Sequence, residues 1–254
     1  PGGLALATNF GSAGFAAVSG SSMATTASMG RLAIPEMLRY GYDRGLATGT
    51  VAASGTLGAL IPPSILFIIY GWYTEQSISK LFLAGVIPGL LTAFFFASMI
   101  VIRCWLNPKL APQRHEQVSW AERMASLRAV WPLPLLVLGV LGSIYGGVAS
   151  PTEAGALGAA MTLAIALLQR RLPWRAFCAS LAEALRTTAS IFFIAIGAVM
   201  LTRFLAMAGL STGLVELVTS MDMTVAWALL ALVLVYLVLG MFLDPLGVML
   251  LTLP

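Results

Sequence analysis

Hydroxyl-bearing and small residues stand here where an apolar chain has no ordinary reason to keep them. Ser19-Gly20-Ser21-Ser22, followed by Met23-Ala24-Thr25-Thr26, separates residues 2–18, which carry no charge, from residues 23–38, which reach charge only at Arg31 and Glu36. A second tract, Ala53-Ser54-Gly55-Thr56-Leu57-Gly58-Ala59-Leu60-Ile61-Pro62-Pro63-Ser64, places glycines, prolines and hydroxyls inside an otherwise apolar span. Proline has no N–H and clashes with the preceding turn, and the second of two prolines drives the first out of the α region. A break at Pro62-Pro63 therefore frees backbone carbonyls, which inside a membrane must be met by protein, water or a cation. Sodium is a hard cation suited to such oxygens, and Ser19, Ser21, Ser22, Ser54, Thr56 and Gly58 are the candidates for holding it. A helix beginning at the first tract also offers unpaired amides and a positive dipole end, which favour an anion. Ser21, Ser22, Thr25 and Pro62 are the candidates beside a bound carboxylate. The competing reading of the second tract is a proline-kinked helix whose serines bond back to their own turn.

Two half-length helices meeting at a polar tip would position the first tract, and a discontinuous helix over 46–72 the second. Transporters use such broken elements deep in the bilayer to present backbone groups to ions and substrates. The composition agrees with that setting: 59% of residues are hydrophobic and 9% charged, against roughly 25% charged in an average soluble domain. Further uncharged runs lie at Leu81–Ile102, Pro132–Pro151, Ala154–Leu168, Thr187–Thr202 and Val225–Leu243; a bilayer span needs about 20 residues. The chain starts at Pro1 without a methionine or a signal-peptide pattern and stops at Pro254 after an apolar run, and reads as an internal piece of a longer protein.

Positive charge clusters at Arg31, Arg39 and Arg44, then at Lys109, Arg114, Arg123 and Arg128, then at Arg170, Arg171 and Arg175. The positive-inside bias puts all three loops on the cytoplasmic side. Crossings then run out over 46–72, back over 81–102, out over 132–149, back over 152–168 and out over 184–206. Residues Gly209–Met223 fall on the far side, from which 225–243 re-enters until Asp244-Pro245 interrupts it. The first hairpin thus opens to the cytoplasm and the last segment enters from outside, the opposition an inverted repeat produces. Trp120–Trp131 and Trp174–Arg186 read as helices lying along the membrane surface.

Other conspicuous residues divide between structure and chemistry. Ser150-Pro151-Thr152-Glu153 spells an N-cap, a proline at the first helical position and a capping-box glutamate; the alternative is Glu153 as an intramembrane proton carrier. Arg31 and Glu36, five apart, pair only loosely, and Arg31 reads as an anchor at the cytoplasmic end first and a substrate contact second. Arg203 can snorkel to the interface. Asp244, a carboxylate within an apolar segment, is a candidate for the substrate site, against a helix end near water. His115 is the sole histidine, and Cys104 and Cys178 stand apart from any ligand cluster. Triad hydrolysis, zinc chemistry and disulfides lack their partners. The chain is not expected to be an enzyme, to bind nucleic acid or to hold an organic cofactor.

Taken together, Gly20-Ser21-Ser22-Met23-Ala24-Thr25, Gly30-Arg31, Ile34-Pro35-Glu36-Met37, Gly41-Tyr42-Asp43 and Ala52–Ser64 resemble the large membrane subunit of tripartite ATP-independent periplasmic (TRAP) transporters, the DctM type. Tyr145-Gly146-Gly147-Val148-Ala149-Ser150-Pro151-Thr152-Glu153-Ala154 and Gly240-Met241-Phe242-Leu243-Asp244-Pro245 follow in the same order as in that family. The resemblance implies an all-α integral membrane protein, multi-pass in the bacterial cell inner membrane. It further implies an elevator-type secondary transporter with re-entrant helical hairpins, discontinuous helices and inverted repeats. Its partners would be a small four-helix membrane subunit, a periplasmic substrate-binding protein and the lipid bilayer, and its cargo an organic acid such as a C4-dicarboxylate or sialic acid in symport with sodium.

On that pattern residues 1–73 hold hairpin one and the first broken helix of the transport domain, with a sodium site between them. Residues 74–223 hold scaffold helices, cytoplasmic loops and amphipathic arm helices, and 224–254 begin hairpin two, with its tip near Asp244. The amino-terminal scaffold helices, the second arm of hairpin two and the second broken helix are missing, so this piece carries about half the site. The alternatives from other classes are a non-transporting membrane scaffold or assembly subunit, whose glycines serve helix packing, and a channel, for which no ring of acidic residues is evident.

Overall fold

The computed structural model describes residues 2–112, 120–170, 172–209, 216, 224–243 and 245–252, and regular structure among them is helical throughout. Helix α1 (Gly3–Ser19) is charge-free and stops where Gly20 turns into the left-handed region at φ 60°, its N–H returning to the Ala16 carbonyl at 2.9 Å. Helix α2 (Ser22–Arg39) starts two residues later behind the Ser21 cap, whose Oγ accepts from the Ala24 amide at 3.3 Å. These are the two arms and the tip expected of the first hairpin.

The next crossing is broken where its prolines require. Helix α3 (Arg44–Gly55), capped by Asp43 accepting from the Leu46 amide at 2.9 Å, passes through a bend at Thr56 into the single turn α4 (Leu57–Leu60). Ile61 is extended, the Pro62–Pro63 peptide is cis, and helix α5 (Ile65–Tyr73) begins only after Ser64. Helix α6 (Ile78–Leu106) runs back as 29 residues, a length of about 44 Å at 1.5 Å per residue. Its buried face is Phe82, Gly85, Gly89, Ala93, Ala97 and Ile100, every third or fourth residue. The small members of that stripe let α6 lie close: a Cβ on Gly89 would come within 2.9 Å of Ile61 Cγ1. The opposite face, with Leu83, Ile87, Leu90 and Phe94, is more than half exposed, as suits a helix whose other surroundings are lipid or further protein.

A 3-10 turn (Pro108–Leu110) leads on to α7 (Trp120–Ala129), α8 (Pro132–Tyr145) and α9 (Pro151–Leu168). At the start of α9 the capping box is complete, with Ser150 Oγ accepting from the Glu153 amide at 3.3 Å and Glu153 Oε2 accepting from the Ser150 amide at 2.8 Å. These elements form one compact unit, residues 1–169, whose main core joins Ala5, Met37, Ala47, Val51, Ile100 and Cys104 from α1, α2, α3 and α6.

Residues 170–254 form a second unit. There α10 (Trp174–Met207) is continuous for 34 residues. The separate surface helix and crossing expected over 174–206 are therefore one element, because no proline and only one glycine, Gly197, interrupts that stretch. Helix α11 (Val225–Phe242) and the short α12 (Pro245–Thr252) flank position 244, and α12 is tied back to α11 by a 2.6 Å hydrogen bond between Tyr236 Oη and Thr252 Oγ1. Among the described residues, four helical spans are long and apolar enough to cross a membrane: Arg44–Tyr73, Ile78–Leu106, Pro151–Leu168 and Trp174–Leu205.

Candidate functional site

The tip between α1 and α2 and the break between α4 and α5 are pressed together main chain to main chain. A Cβ on Gly20 would lie 2.6 Å from the Pro63 carbonyl oxygen, and a Cβ on Gly58 would lie 2.6 Å from the Ser21 carbonyl carbon and oxygen. Neither partner is a side-chain end that can swing away, so only glycine permits the approach. One hydrogen bond spans the contact directly, from the Ile65 amide to the Gly20 carbonyl at 3.0 Å.

Hydroxyl groups organise the tip. Thr25, fully buried, donates through Oγ1 to the Ser21 carbonyl at 2.8 Å. Having one proton, it must accept at the 2.9 Å contact with Ser19 Oγ, so Ser19 is the donor there. The Ser21 carbonyl also takes the Thr25 amide at 3.0 Å, and Thr26 Oγ1 donates to the Ser22 carbonyl at 2.8 Å. The tip is thereby a folded knot of short bonds rather than a loose loop.

At the break, the two prolines decide which oxygens are left over. In an α-helix the carbonyls of Gly58 and Ala59 would receive the amides of residues 62 and 63, and proline has none to give. Ser64 repairs one of the two, its Oγ donating to the Ala59 carbonyl at 2.8 Å from a fully buried position. The Gly58 carbonyl has no such amide. The α-carbon of Gly58 is seated against the Ser21–Ser22 peptide, and Pro62 is buried in the same break. By the helix dipole the C-terminal ends of α1 and α4 are negative and the N-terminal ends of α2 and α5 positive where these elements meet, and the Ile65 amide and Gly20 carbonyl already neutralise each other across the contact. Such a juncture can take a cation on its oxygens and an anion on its amides.

The structure brings Ser19, Ser21, Ser22, Thr25, Gly58 and Pro62 to this juncture and uses Ser54 and Thr56 differently. Ser54 is buried one turn earlier and donates to Ser12 Oγ of α1 at 2.9 Å. Thr56 is exposed and bonds back to the Ala53 carbonyl at 2.7 Å. The hydroxyls of the second tract therefore serve their own helices and neighbours, as the kinked-helix reading has it, while the helix is also broken. Asp244 lies outside the described residues. Glu36 pairs with Arg39 at 2.8 Å rather than with Arg31, which is exposed.

Ser12 is absent from the candidates that the sequence singles out, and Ser64 stands among them only as one hydroxyl of the second tract. The signal for Ser12 was present: with Thr8 and Asn9 it forms a buried polar patch on a charge-free helix, and an apolar helix keeps such residues only to meet something. Ser64 was marked as a hydroxyl, but its role as the substitute donor for a missing proline amide needs the folded break to be seen.

The family model described as "Tripartite ATP-independent periplasmic transporter, DctM component" matches residues 1–254. The chain is 38% identical over 255 residues to the C4-dicarboxylate TRAP transporter large permease protein DctM of Pseudomonas aeruginosa, covering 100% of this chain and 59% of that protein. It is 33% identical over 257 residues to the isethionate TRAP transporter permease protein DctMQ of Oleidesulfovibrio alaskensis, covering 100% of this chain and 40% of that one. It is 38% identical over 198 residues to the ectoine/5-hydroxyectoine TRAP transporter large permease protein UehC of Ruegeria pomeroyi, covering 78% and 45% respectively. The chain thus spans well under two thirds of the length of each of these relatives.

Proposed function

Because the chain belongs to the DctM component family of tripartite ATP-independent periplasmic transporters, we propose that it is part of the large permease subunit of a sodium-coupled importer of organic acids. The observation that carries the proposal is the main-chain contact of Gly20 and Gly58 with the opposite element, which gathers two negative and two positive helix ends at one place. Carbonyls at the end of α1 and of Gly58, with the Ser19, Ser21 and Ser22 oxygens around them, take up sodium. Amides in the first turns of α2 and α5 other than those of Ala24 and Ile65, which are already bonded, then receive the substrate carboxylate, with Ser21, Ser22, Thr25 and Pro62 beside it. Coupling follows from charge: an anion arriving without the cation leaves the carbonyl ends uncompensated in a medium of low dielectric constant. Ser54 contributes by fixing α3 to α1 through Ser12, and Thr56 by shaping the bend.

In this reading hairpin one (α1 and α2) and the broken helix (α3 to α5) travel together as half of an elevator-type transport domain. Residues 224–254 open the second, re-entrant hairpin, in which Asp244 is the candidate substrate residue. A periplasmic binding protein delivers the substrate and a small four-helix subunit assembles with the permease in the bacterial inner membrane. The relatives' names span C4-dicarboxylate, isethionate and ectoine, all carrying a carboxylate or sulfonate, so an anionic head group is the shared chemistry we assign to the cargo.

The test uses the full-length parent with its small subunit in proteoliposomes, following labelled dicarboxylate and sialic acid with and without a sodium gradient and the cognate binding protein. Uptake that needs both supports the reading. Uptake by folded protein that is indifferent to sodium removes the sodium assignment, and unaltered sodium dependence in Ser21→Ala removes the placement at the tip.

A further inference from the structure

Two buried oxygens in the first unit meet no hydrogen-bonding partner in the described chain: Asn9 Oδ1 of α1 and Thr50 Oγ1 of α3. Asn9 is fully buried and Thr50 is 3% exposed. The Asn9 amide is not free to turn, because its Nδ2 donates to the Ala93 carbonyl of α6 at 2.9 Å; its oxygen is thereby committed to another direction.

Helical register brings the two oxygens to one seam. Helices α1 and α3 run parallel toward the tip and the break, with Ala5 and Ala47 in one core cluster, Ser12 bonded to Ser54, and Ala16 clustered with Leu57. Asn9 stands about one turn before Ser12, and Thr50 one turn before Ser54, so they share a level. Around the helices, α2 lies to one side, where Gly11 faces Met29, Gly55 faces Thr26 and Gly30 faces Val51. At about 100° per residue Asn9 is turned roughly 60° from Ser12, and Thr50 roughly 40° from Ser54. Both turns are away from α2 and toward α6. There α6 presents the small side chains of Ala93 and Ala97, both buried.

We infer that a single internal water binds in this α1–α3–α6 seam, donating to Asn9 Oδ1 and exchanging a hydrogen bond with Thr50 Oγ1. Buried waters hold such otherwise unmet groups with two to four partners. A sodium ion is the poorer occupant, because the seam has no carboxylate and the neighbouring Ser12 and Ser54 hydroxyls already satisfy each other; two oxygens do not replace a hydration shell. With Asn9 joined to α6 directly and to α3 through the water, the three helices are locked at one level. This inference does not depend on the transport reading.

The test is a high-resolution structure of the full-length parent, determined once in sodium and once in choline. The expected result is one density about 2.8 Å from both oxygens, the same in both salts and absent in Thr50→Val, which keeps the side-chain shape. No density in the wild type overturns the inference. So does a density at about 2.4 Å that disappears in choline, which would make the seam a cation site. In thermal unfolding Thr50→Val and Asn9→Leu should each lower Tm, and the double variant should fall by clearly less than the sum; strictly additive shifts overturn the shared water.

Discussion

Gly58 and Gly20 are the positions at which one methyl group tests the site, because each faces main chain that has nowhere to go. Overpacking of this kind costs about 1–3 kcal/mol, and here the strain would push the tip away from the break. Under the carrier reading, Gly58→Ala in the full-length parent should therefore reduce substrate uptake by at least about tenfold while the protein still inserts and purifies, since its penalty stays within the range of a tolerated overpacked core. Gly49→Ala is the matched control: a Cβ there meets nothing within 4 Å, and replacing a helical glycine gains about 0.5–1 kcal/mol, so uptake should be unchanged and Tm slightly raised. Ser64 makes a different demand. Removing its hydroxyl leaves the Ala59 carbonyl with no donor in place of Pro63, at about 1–3 kcal/mol for a buried unmet group. Ser64→Ala should lower Tm measurably and weaken uptake, and a variant indistinguishable from wild type in both would show that solvent already serves that carbonyl.

Helix α9 shows how local sequence settles a question that residue type alone leaves open. Glu153 reads first as a capping-box residue and, as the alternative, as a proton carrier, and its carboxylate receives both the amide and the hydroxyl of Ser150 at 2.8 Å. A glutamine at this position keeps an acceptor for the cap, so Glu153→Gln should leave the pH dependence and rate of uptake as they are. Ser150→Ala should cost about 1 kcal/mol of stability, read as a lower Tm. A carrier role would reverse the order, with Glu153→Gln the damaging change. This cap, the hairpin tip and the proline break were legible because each is written in a few consecutive residues with strong backbone preferences. What was not legible depends on contacts between distant elements: the Ser54 hydroxyl meeting Ser12 forty-two residues away, or Gly58 seated on the Ser21–Ser22 peptide. Arg31 and Glu36 illustrate the same limit within one helix, since Glu36 takes the partner three residues on, Arg39, whose spacing suits a helix face better than five. The separate surface helix expected over 174–186 failed for the opposite reason. No proline or other stop signal ends α10 at Arg186, and the helix runs on to Met207.

For the molecule in its membrane, charge distribution makes a prediction that the helices of the first unit constrain further. Arg44 opens α3 and Lys109 sits in the 3-10 turn after α6, so one broken crossing and one continuous crossing separate two basic ends from the turn at Glu75. The next pair, α8 and α9, meets at Val148, which is 84% exposed. If lysine and arginine mark the cytoplasmic side, Glu75 and Val148 face the other compartment. In the full-length parent, with its native cysteines replaced by serine, Glu75→Cys and Val148→Cys should react with an impermeant maleimide added to intact spheroplasts. Arg44→Cys and Lys109→Cys should react only after the membrane is opened. The reverse pattern would invert the protein, and the first hairpin would then open outward. Labelling of Glu75→Cys and Lys109→Cys from the same side would be more damaging, because α6 could not then be a crossing. Its 29 residues and small-residue buried face would need another explanation. The outcome also bears on the carrier reading. Under the carrier reading proposed above, a tip reached from the cytoplasmic side by α1 and left by α2 calls for a counterpart entering from outside, and the segment proposed to begin it is the charge-free α11.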